Sequence, residues 1–458
     1  MARVRQRYTE KPGQQRRVAS PGPGIAGPRA RTKRPRVSLV RRFGLCWSSA
    51  RMRWLVFTVF ALTWVGISAR RVRILPIGRP AMALVGAAAA VVVGLFAGEY
   101  GLSVDEALRA VELHTLALLL GMMVVAAGLG EAGFFDWAVG WLARRSLCPA
   151  ALVWVVTLGS GLLSAVLVND AVCLLATPLV VLLVRQVGAP VRPFLFAVAM
   201  GSNAGSALTL AGNPQNMLVA KLSGLSYRGY FVSALLPTLA ALVLTAAFLH
   251  LVFRKALAAP LAGRPALEPP KLDKPLLFIG AAALAGVVLA NLLGAPLALT
   301  AVAGASVVLL AARLKAEALL HKVDWSILLF FAGLFVLVAA LQKTGLPAEA
   351  LRHVDGAHAG VGPLVGVLLF GSQVVSNVPL ILLLEPWIRL LPDAPLAWTL
   401  TAYVSTLAGN LTLLGSVANI IVLERARESL GFFEYLKVGL PLTLASTALG
   451  VALLLALG

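Results

Sequence analysis

The chain has 458 residues, 59% of them hydrophobic and 13% charged, where soluble domains carry about 25% charged residues. That balance excludes a soluble globular enzyme and points to a polytopic protein of the lipid bilayer. The formal charge of +21 would suit a nucleic-acid binder, but +14 of it sits in residues 1–53, which hold 15 Lys and Arg against one acid, Glu10; no nucleic-acid partner is expected.

Taken in chain order, residues 1–53 are rich in Arg, Pro and Gly, lack apolar periodicity, and read as a disordered basic tail. Apolar stretches of membrane-spanning length then predict ten helices, at 54–69, 80–98, 113–131, 190–222, 229–254, 274–293, 296–313, 325–341, 395–422 and 434–457. Two further runs, 149–186 and 361–392, are too long for one crossing and are interrupted by polar residues near their middles. They read as re-entrant helical hairpins. The resulting organisation is a first repeat over 54–254, a cytoplasmic linker over 255–273 and a second repeat over 274–458. Cys46, Cys148 and Cys173 have no metal-ligand spacing and read as small apolar fillers. The GLGEAG at 128–133 matches a dinucleotide-binding pattern but lies in a membrane helix with no strand before it, so its glycines read as close-packing positions. No HExxH, nucleophile elbow or CxxC pair occurs. Neither an enzyme, a structural metal nor a cofactor is expected.

The two halves repeat one another. SAVLVNDAVCLLATP (164–178) lies over SQVVSNVPLILLLEP (372–386) with six identities in fifteen, among them Asn169 with Asn377. LTLAGNPQN (208–216) lies over LTLLGSVAN (411–419) with five in nine, pairing Thr209 with Thr412, Gly212 with Gly415 and Asn216 with Asn419. Residues 111–133 and 323–345 align as well, pairing Gly121 with Gly333. Each half carries five crossings and a hairpin, and an odd number of crossings makes the second half enter from the opposite side. The fold class is therefore all-α integral membrane, an inverted-repeat transporter of about ten transmembrane helices with two re-entrant hairpins and two broken helices. Such folds bind their cargo near the midplane at the breaks.

A helix that starts inside a membrane has first-turn N–H groups with no water to satisfy them. The breaks supply candidate caps: Asn169 and Asp170 before AVCLLATP, Ser376 and Asn377 before VPLILLLEP, Asn213 with Pro214 at N1 after the bend at Gly212, and Ser416 after Gly415. Four helix N-termini, each worth roughly half a positive charge, would then face the centre. That arrangement suits an anion. Ser202, Asn203, Thr209, Asn216, Ser405, Thr406, Asn410, Thr412 and Asn419 add uncharged hydrogen-bonding groups, and unwound carbonyls suit a cation such as Na⁺. Asp170 is the intramembrane acid available to bind Na⁺ or exchange a proton, a coupling role weighed against simple capping of its half-helix. Glu385, in the place of Thr177, is a candidate for gating or ion access, against a solvated residue near the aqueous mouth.

FFDWAVGWLARRS, SGLLSAVLVNDAVCLLATPLV and AGSALTLAGNPQNMLVAKLSG resemble the ArsB/NhaD ion-transporter superfamily, closest to its YbiR-like anion permeases. The resemblance runs from about residue 54 to 458. It implies an inverted-repeat fold with two re-entrant hairpins and, through kinship with divalent-anion/sodium symporters, a homodimer. Carboxylate symporters of that kinship carry Ser-Asn-Thr at both hairpin tips. Here the tips read Val168-Asn169-Asp170 and Ser376-Asn377-Val378, which argues against a dicarboxylate, and the Asn-Asp pair is more like that of arsenite exporters.

Of the 25 Lys and Arg after residue 53, nineteen fall in one set of loops and six in the other. The positive-inside rule makes the nineteen cytoplasmic and the start of the first helix external. That orientation would export the basic tail, which the same rule disfavours; translation from Met52 is the expectation that removes the conflict. The sequence thus describes a multi-pass protein of a prokaryotic-type inner membrane, moving a small inorganic or organic anion with Na⁺ or H⁺ as coupling ion. The alternatives are an arsenite-type metalloid or Na⁺/H⁺ antiporter and, from another class, a membrane scaffold without transport.

Overall fold

A computed structural model describes residues 49–68, 78–145, 147–258, 271–352 and 360–457. They form helices, turns and loops, with no strand among the described residues. In the first half the helices are α1 (Ser49–Ser68), α2 (Arg79–Gly94), α3 (Val104–Ala110), α4 (Leu113–Glu131), α5 (Phe134–Arg144), α6 (Pro149–Val166), α7 (Asn169–Gln186), α8 (Val191–Ser206), α9 (Pro214–Ser223) and α10 (Tyr227–Val252). A short α11 (Arg254–Leu257) follows. The second half has α12 (Lys274–Leu292), α13 (Leu297–Ala312), α14 (Ala316–His321), α15 (Trp325–Lys343), α16 (Leu346–Arg352), α17 (Val361–Val375), α18 (Asn377–Ile388), α19 (Ala394–Ala408), α20 (Val417–Ala426) and α21 (Phe432–Leu457).

The second series repeats the first element for element. The ten expected crossings are α1, α2, α4, α8 with α9, α10, α12, α13, α15, α19 with α20, and α21. Seven helical segments, both arms of the first hairpin among them, are individually long and apolar enough to cross a membrane. The hairpins are α6–α7 and α17–α18. Their tips meet the opposed breaks of α8–α9 and α19–α20: Thr209 Oγ1 donates to Ala165 O at 2.7 Å, and its repeat partner Thr412 Oγ1 donates to Gln373 Oε1 at 2.7 Å.

The short helices α3, α5, α11, α14 and α16 lie outside the expected set. Of these, α5 is the most informative: it buries Phe135, Val139 and Ala143 while Trp137 and Trp141 stay exposed, and the Arg145 guanidinium lies over the Trp141 ring at 4.8 Å. Eleven residues cannot cross a bilayer, but an amphipathic helix with Trp on its open face is suited to the membrane interface. Residues 49–53, assigned above to the tail, are helical in α1, and Arg53 pairs with Glu349 at 2.6 Å. Residues 1–48 and 259–270, which hold the rest of the basic tail and most of the linker, lie outside the described residues.

The two halves are interleaved. Helix α4 packs on α13, and in the matching contact α15 packs on α2. Both contacts are made at glycine: a Cβ on Gly121 would lie 2.5 Å from the Ala301 backbone, and one on Gly333 would lie 2.8 Å from that of Ala83. Gly128, within the GLGEAG run, similarly accommodates Val308. Small residues that let backbones approach are how membrane helices associate without a hydrophobic driving force between them. Likewise α7 packs on α20 and α18 on α9, so each hairpin's returning arm leans on the broken helix of the other half. Each ion pair among the described residues joins groups that the loop charges assign to one side of the membrane, as in Arg185–Glu428 and Lys315–Asp273 at one end and Lys343–Glu106 at the other.

Candidate functional site

Where α8 and α19 stop, their chains turn and restart as α9 and α20. Both restarts are capped as expected. Asn213 Oδ1 accepts the Asn216 N–H at 2.9 Å with Pro214 at N1, and Ser416 Oγ accepts the Ala418 N–H at 3.3 Å. Gly212 is required by close approach, since a Cβ there would lie 2.2 Å from Ser206 O; at Gly415 it would lie 2.8 Å from Gln373 Oε1.

Asn203 joins the two breaks. Its Nδ2 donates to Asn410 Oδ1 and Asn419 Oδ1, both at 2.9 Å, while its Oδ1 accepts from Asn169 Nδ2 at 3.2 Å and Ser416 Oγ at 3.0 Å. A carboxamide has two donors and two acceptor sites, so Asn203 is saturated. The matching position of the other half, Thr406, donates from Oγ1 to Asn216 Oδ1 and accepts from Asn213 Nδ2, both at 3.0 Å. Asn216 Nδ2 donates to Thr209 O, and Asn419 Nδ2 to Thr412 O and Gly409 O. Asn410 Nδ2 reaches Met200 O, and Ser405 Oγ bonds Ala402 O. Ser202 is fully buried beside the Cys173 thiol. These side chains were expected to offer themselves to a ligand. Most of them instead bind one another, which is how buried polar groups escape the cost of lost hydration.

The hairpin tips differ from the expectation in another way. Neither Asn169 nor Asp170 is a cap. Val168 occupies the N-cap of α7 and Asn169 is its first residue, held by its N–H to Gly212 O at 3.0 Å while its Oδ1 accepts the Asp170 N–H at 2.9 Å. Asp170 lies in the first turn, 3% exposed, and its carboxylate accepts no hydrogen bond among the described residues. At the second tip Ser376 is the N-cap of α18 with φ of 63°, but its side chain caps nothing. A positive φ with extended ψ at a non-glycine residue is a strained conformation of the kind that clusters at functional sites. Asn377 follows, buried, with its Oδ1 unpartnered. The four N-termini therefore divide into two capped by their N-cap side chains, α9 and α20, and two whose N-cap residues supply no cap; at α7 the first two N–H groups are taken by Gly212 O and Asn169 Oδ1, whereas the α18 start has no such side-chain partner among the described residues. Among the described residues no group of three or more His, Cys, Asp and Glu could hold a metal ion.

Glu385 accepts from Arg389 Nε at 3.0 Å, and Arg389 also donates to Leu222 O at 2.7 Å and lies over Trp398. The geometry gives Glu385 a fastening role between α18 and α9. Two clefts open toward the site. One, of about 650 Å³, is lined by His114, Lys221 and Arg228 with the buried, unpartnered Thr115 hydroxyl. The other, of about 730 Å³, is lined by Asp136, Lys322, Asp324 and Arg425. Asp324 was not singled out in the sequence. Its only local signal is the VDW word that aligns with the VEL of Glu112, and both acids cap their helices, accepting from Ser326 N–H and His114 N–H.

Paired broken helices, two re-entrant hairpins and a buried acid at one tip define a multi-pass membrane transporter. A solved structure, the YdaH transporter of Alcanivorax borkumensis, described as having an unusual topology, shares this fold at a TM-score of 0.52 and 15% identity over 86% of this chain and 97% of that one. The citrate transporter family model CitMHS matches residues 57–408, and the chain belongs to that family of transporters, not enzymes. Curated relatives include the silicon efflux transporter LSI3 of Oryza sativa subsp. japonica, 31% identical over 86% of this chain and 96% of its own. The inner membrane protein YbiR of Escherichia coli K12 is 32% identical over 76% and 89%, and the 46 kDa membrane protein of Mycobacterium leprae 29% over 87% and 97%. These relatives bear out the anion-permease resemblance carried by the hairpin words.

Proposed function

We propose that the protein is a secondary active transporter that moves a small anion held between the two hairpin tips, coupled to Na⁺ or H⁺ through Asp170. The observation that carries this reading is the contrast among the four helix starts. The α9 and α20 ends are sealed by Asn213 and Ser416, whereas the N-cap residues of α7 and α18 supply no side-chain cap, and of these two α18 keeps the more open start because Gly212 O and Asn169 Oδ1 take the first two N–H groups of α7. An uncapped N-terminus presents N–H donors and partial positive charge, the preferred partner of an anion. A buried carboxylate without hydrogen bonds is costly unless it takes a cation or a proton in its working cycle. The absence of a Ser-Asn-Thr motif at either tip favours a small oxyanion over a dicarboxylate, and Asn377 is the side chain placed to recognise it.

A second reading, an antiporter exporting a metalloid, is favoured by the relative named as a silicon efflux transporter. The test is purified protein in proteoliposomes with imposed Na⁺ or pH gradients, a panel of labelled oxyanions and silicic acid, and Asp170→Asn beside the wild type. Flux of one solute that follows a cation gradient and becomes uncoupled in the variant is the expected result. Gradient-driven transport that survives Asp170→Asn refutes the coupling role.

A further inference from the structure

The inverted repeat offers two equivalent positions for an acid at a hairpin tip, and the chain uses one. Asp170 stands where the second half has Val378. In any one state of an alternating-access cycle the coupling ion reaches its site from one side, and in this structure the 730 Å³ cleft lies on the side that leads to Asp170.

A crevice of about 20 Å³ shares Leu174, Leu175, Lys322 and Asp324 with that cleft and ends at Asp170. Its volume matches about one water molecule, for which roughly 10–15 Å³ is enough. The rest of its wall is apolar, from Met123, Ala126, Ile327 and Ile421. The charged and titratable groups facing this route are Asp136 on α5, His321 on α14, Lys322 and Asp324 between α14 and α15, Arg425 on α20 and, through Lys322, Glu131 on α4. Lys322 would repel a cation, but its ammonium is bound to the Glu131 carboxylate, which Lys315 also approaches at 3.9 Å. Asp324 spends one oxygen on the Ser326 N–H at 3.1 Å and lines the same crevice as Asp170. Two carboxylates thus line one narrow crevice, Asp324 where it joins the cleft and Asp170 deeper in, away from the cleft.

Resting on the reading that Asp170 couples transport, we propose that this cleft is the route by which the coupling cation reaches Asp170, with Asp324 as the acid that gathers the cation at the throat. Low-dielectric walls around a charge concentrate its field and raise the local counter-ion concentration. Asp324 positions the cation; it does not hold it through the cycle.

The experiment has two arms. Asp324→Asn keeps the helix cap, because Asn caps as well as Asp, and removes the charge. In proteoliposomes it should raise the half-saturating concentration of the coupling cation roughly tenfold with the maximal rate unchanged. Whether the shift is seen against Na⁺ or against pH identifies the ion. An unchanged half-saturation overturns the proposal. In the second arm, Leu175→Cys in a Cys46→Ser, Cys148→Ser background is exposed to a membrane-impermeant thiosulfonate from each side. Modification only from the side carrying Lys322 and Arg425 is expected, and modification only from the other side overturns the route. The two readings fail separately: coupled transport surviving in Asp170→Asn refutes the coupling, whereas a normal Asp170→Asn defect with the wrong sidedness at Leu175→Cys refutes the route alone.

Discussion

Replacing Asn203 with Ala should destabilise the folded protein more than it changes cargo recognition. The side chain makes four hydrogen bonds, to Asn169, Asn410, Asn419 and the Ser416 hydroxyl, and every donor and acceptor it has is used. Side-chain hydrogen bonds between membrane helices average about 0.6 kcal/mol and those in proteins generally about 1 kcal/mol, so four bonds give about 2.4 to 4 kcal/mol. The cost falls toward the upper figure if no water enters, because the Asn169 amide and Ser416 hydroxyl are left without their acceptor in a closed site. Thermal unfolding in detergent, followed by tryptophan fluorescence, measures the loss, and labelled-substrate flux at a temperature where both proteins are folded measures recognition. A double-mutant cycle with Asn419→Ala should return a coupling of the order of one of these bonds, about 0.6 to 1 kcal/mol. An Asn203→Ala protein that melts with the wild type but loses affinity for its substrate would refute the reasoning, since Asn203 would then be a ligand of the cargo and not the tie between the two breaks.

Further outcomes follow from other contacts. Gly205→Ala should lower the yield of folded protein and cost about 1–3 kcal/mol by overpacking, because its Cβ would lie 2.0 Å from Gly161 O where α6 crosses α8; normal expression and melting would show that this contact has slack. At the start of α12, the Leu276 N–H and then the Lys315 ammonium hold the Asp273 carboxyl below the usual carboxylate range. A depressed folded-state pKa means that the stabilisation is present above the unfolded value and is lost as pH falls through the folded one. The melting gap between wild type and Asp273→Ala should therefore narrow as the solution is acidified, and a gap independent of pH would exclude the ionised form as its source. Because the pair is solvent-exposed, added salt should shrink the gap as well.

The features that arise from local physics are legible along the chain. The internal repeat, the two interrupted helices and the caps Asn213 and Ser416 are all legible because a helix starting in a membrane must satisfy its first N–H groups from nearby residues. The same reasoning misplaced the cap at the first hairpin by one residue. Asn169 is drawn into the helix by its N–H to Gly212 O, a bond to a distant segment of the chain that no local pattern displays. Long-range packing closes the breaks on each other through Asn203 and Thr406 and leaves the hairpin helices as the two without an N-cap side chain. It also places Asp324, which the sequence presents as part of an ordinary helix entrance, at the mouth of the crevice that ends at Asp170. Those pairings depend on the interleaving of the halves, α7 against α20 and α4 against α13, and packing between distant helices is set by which backbones can approach, not by the words along either one.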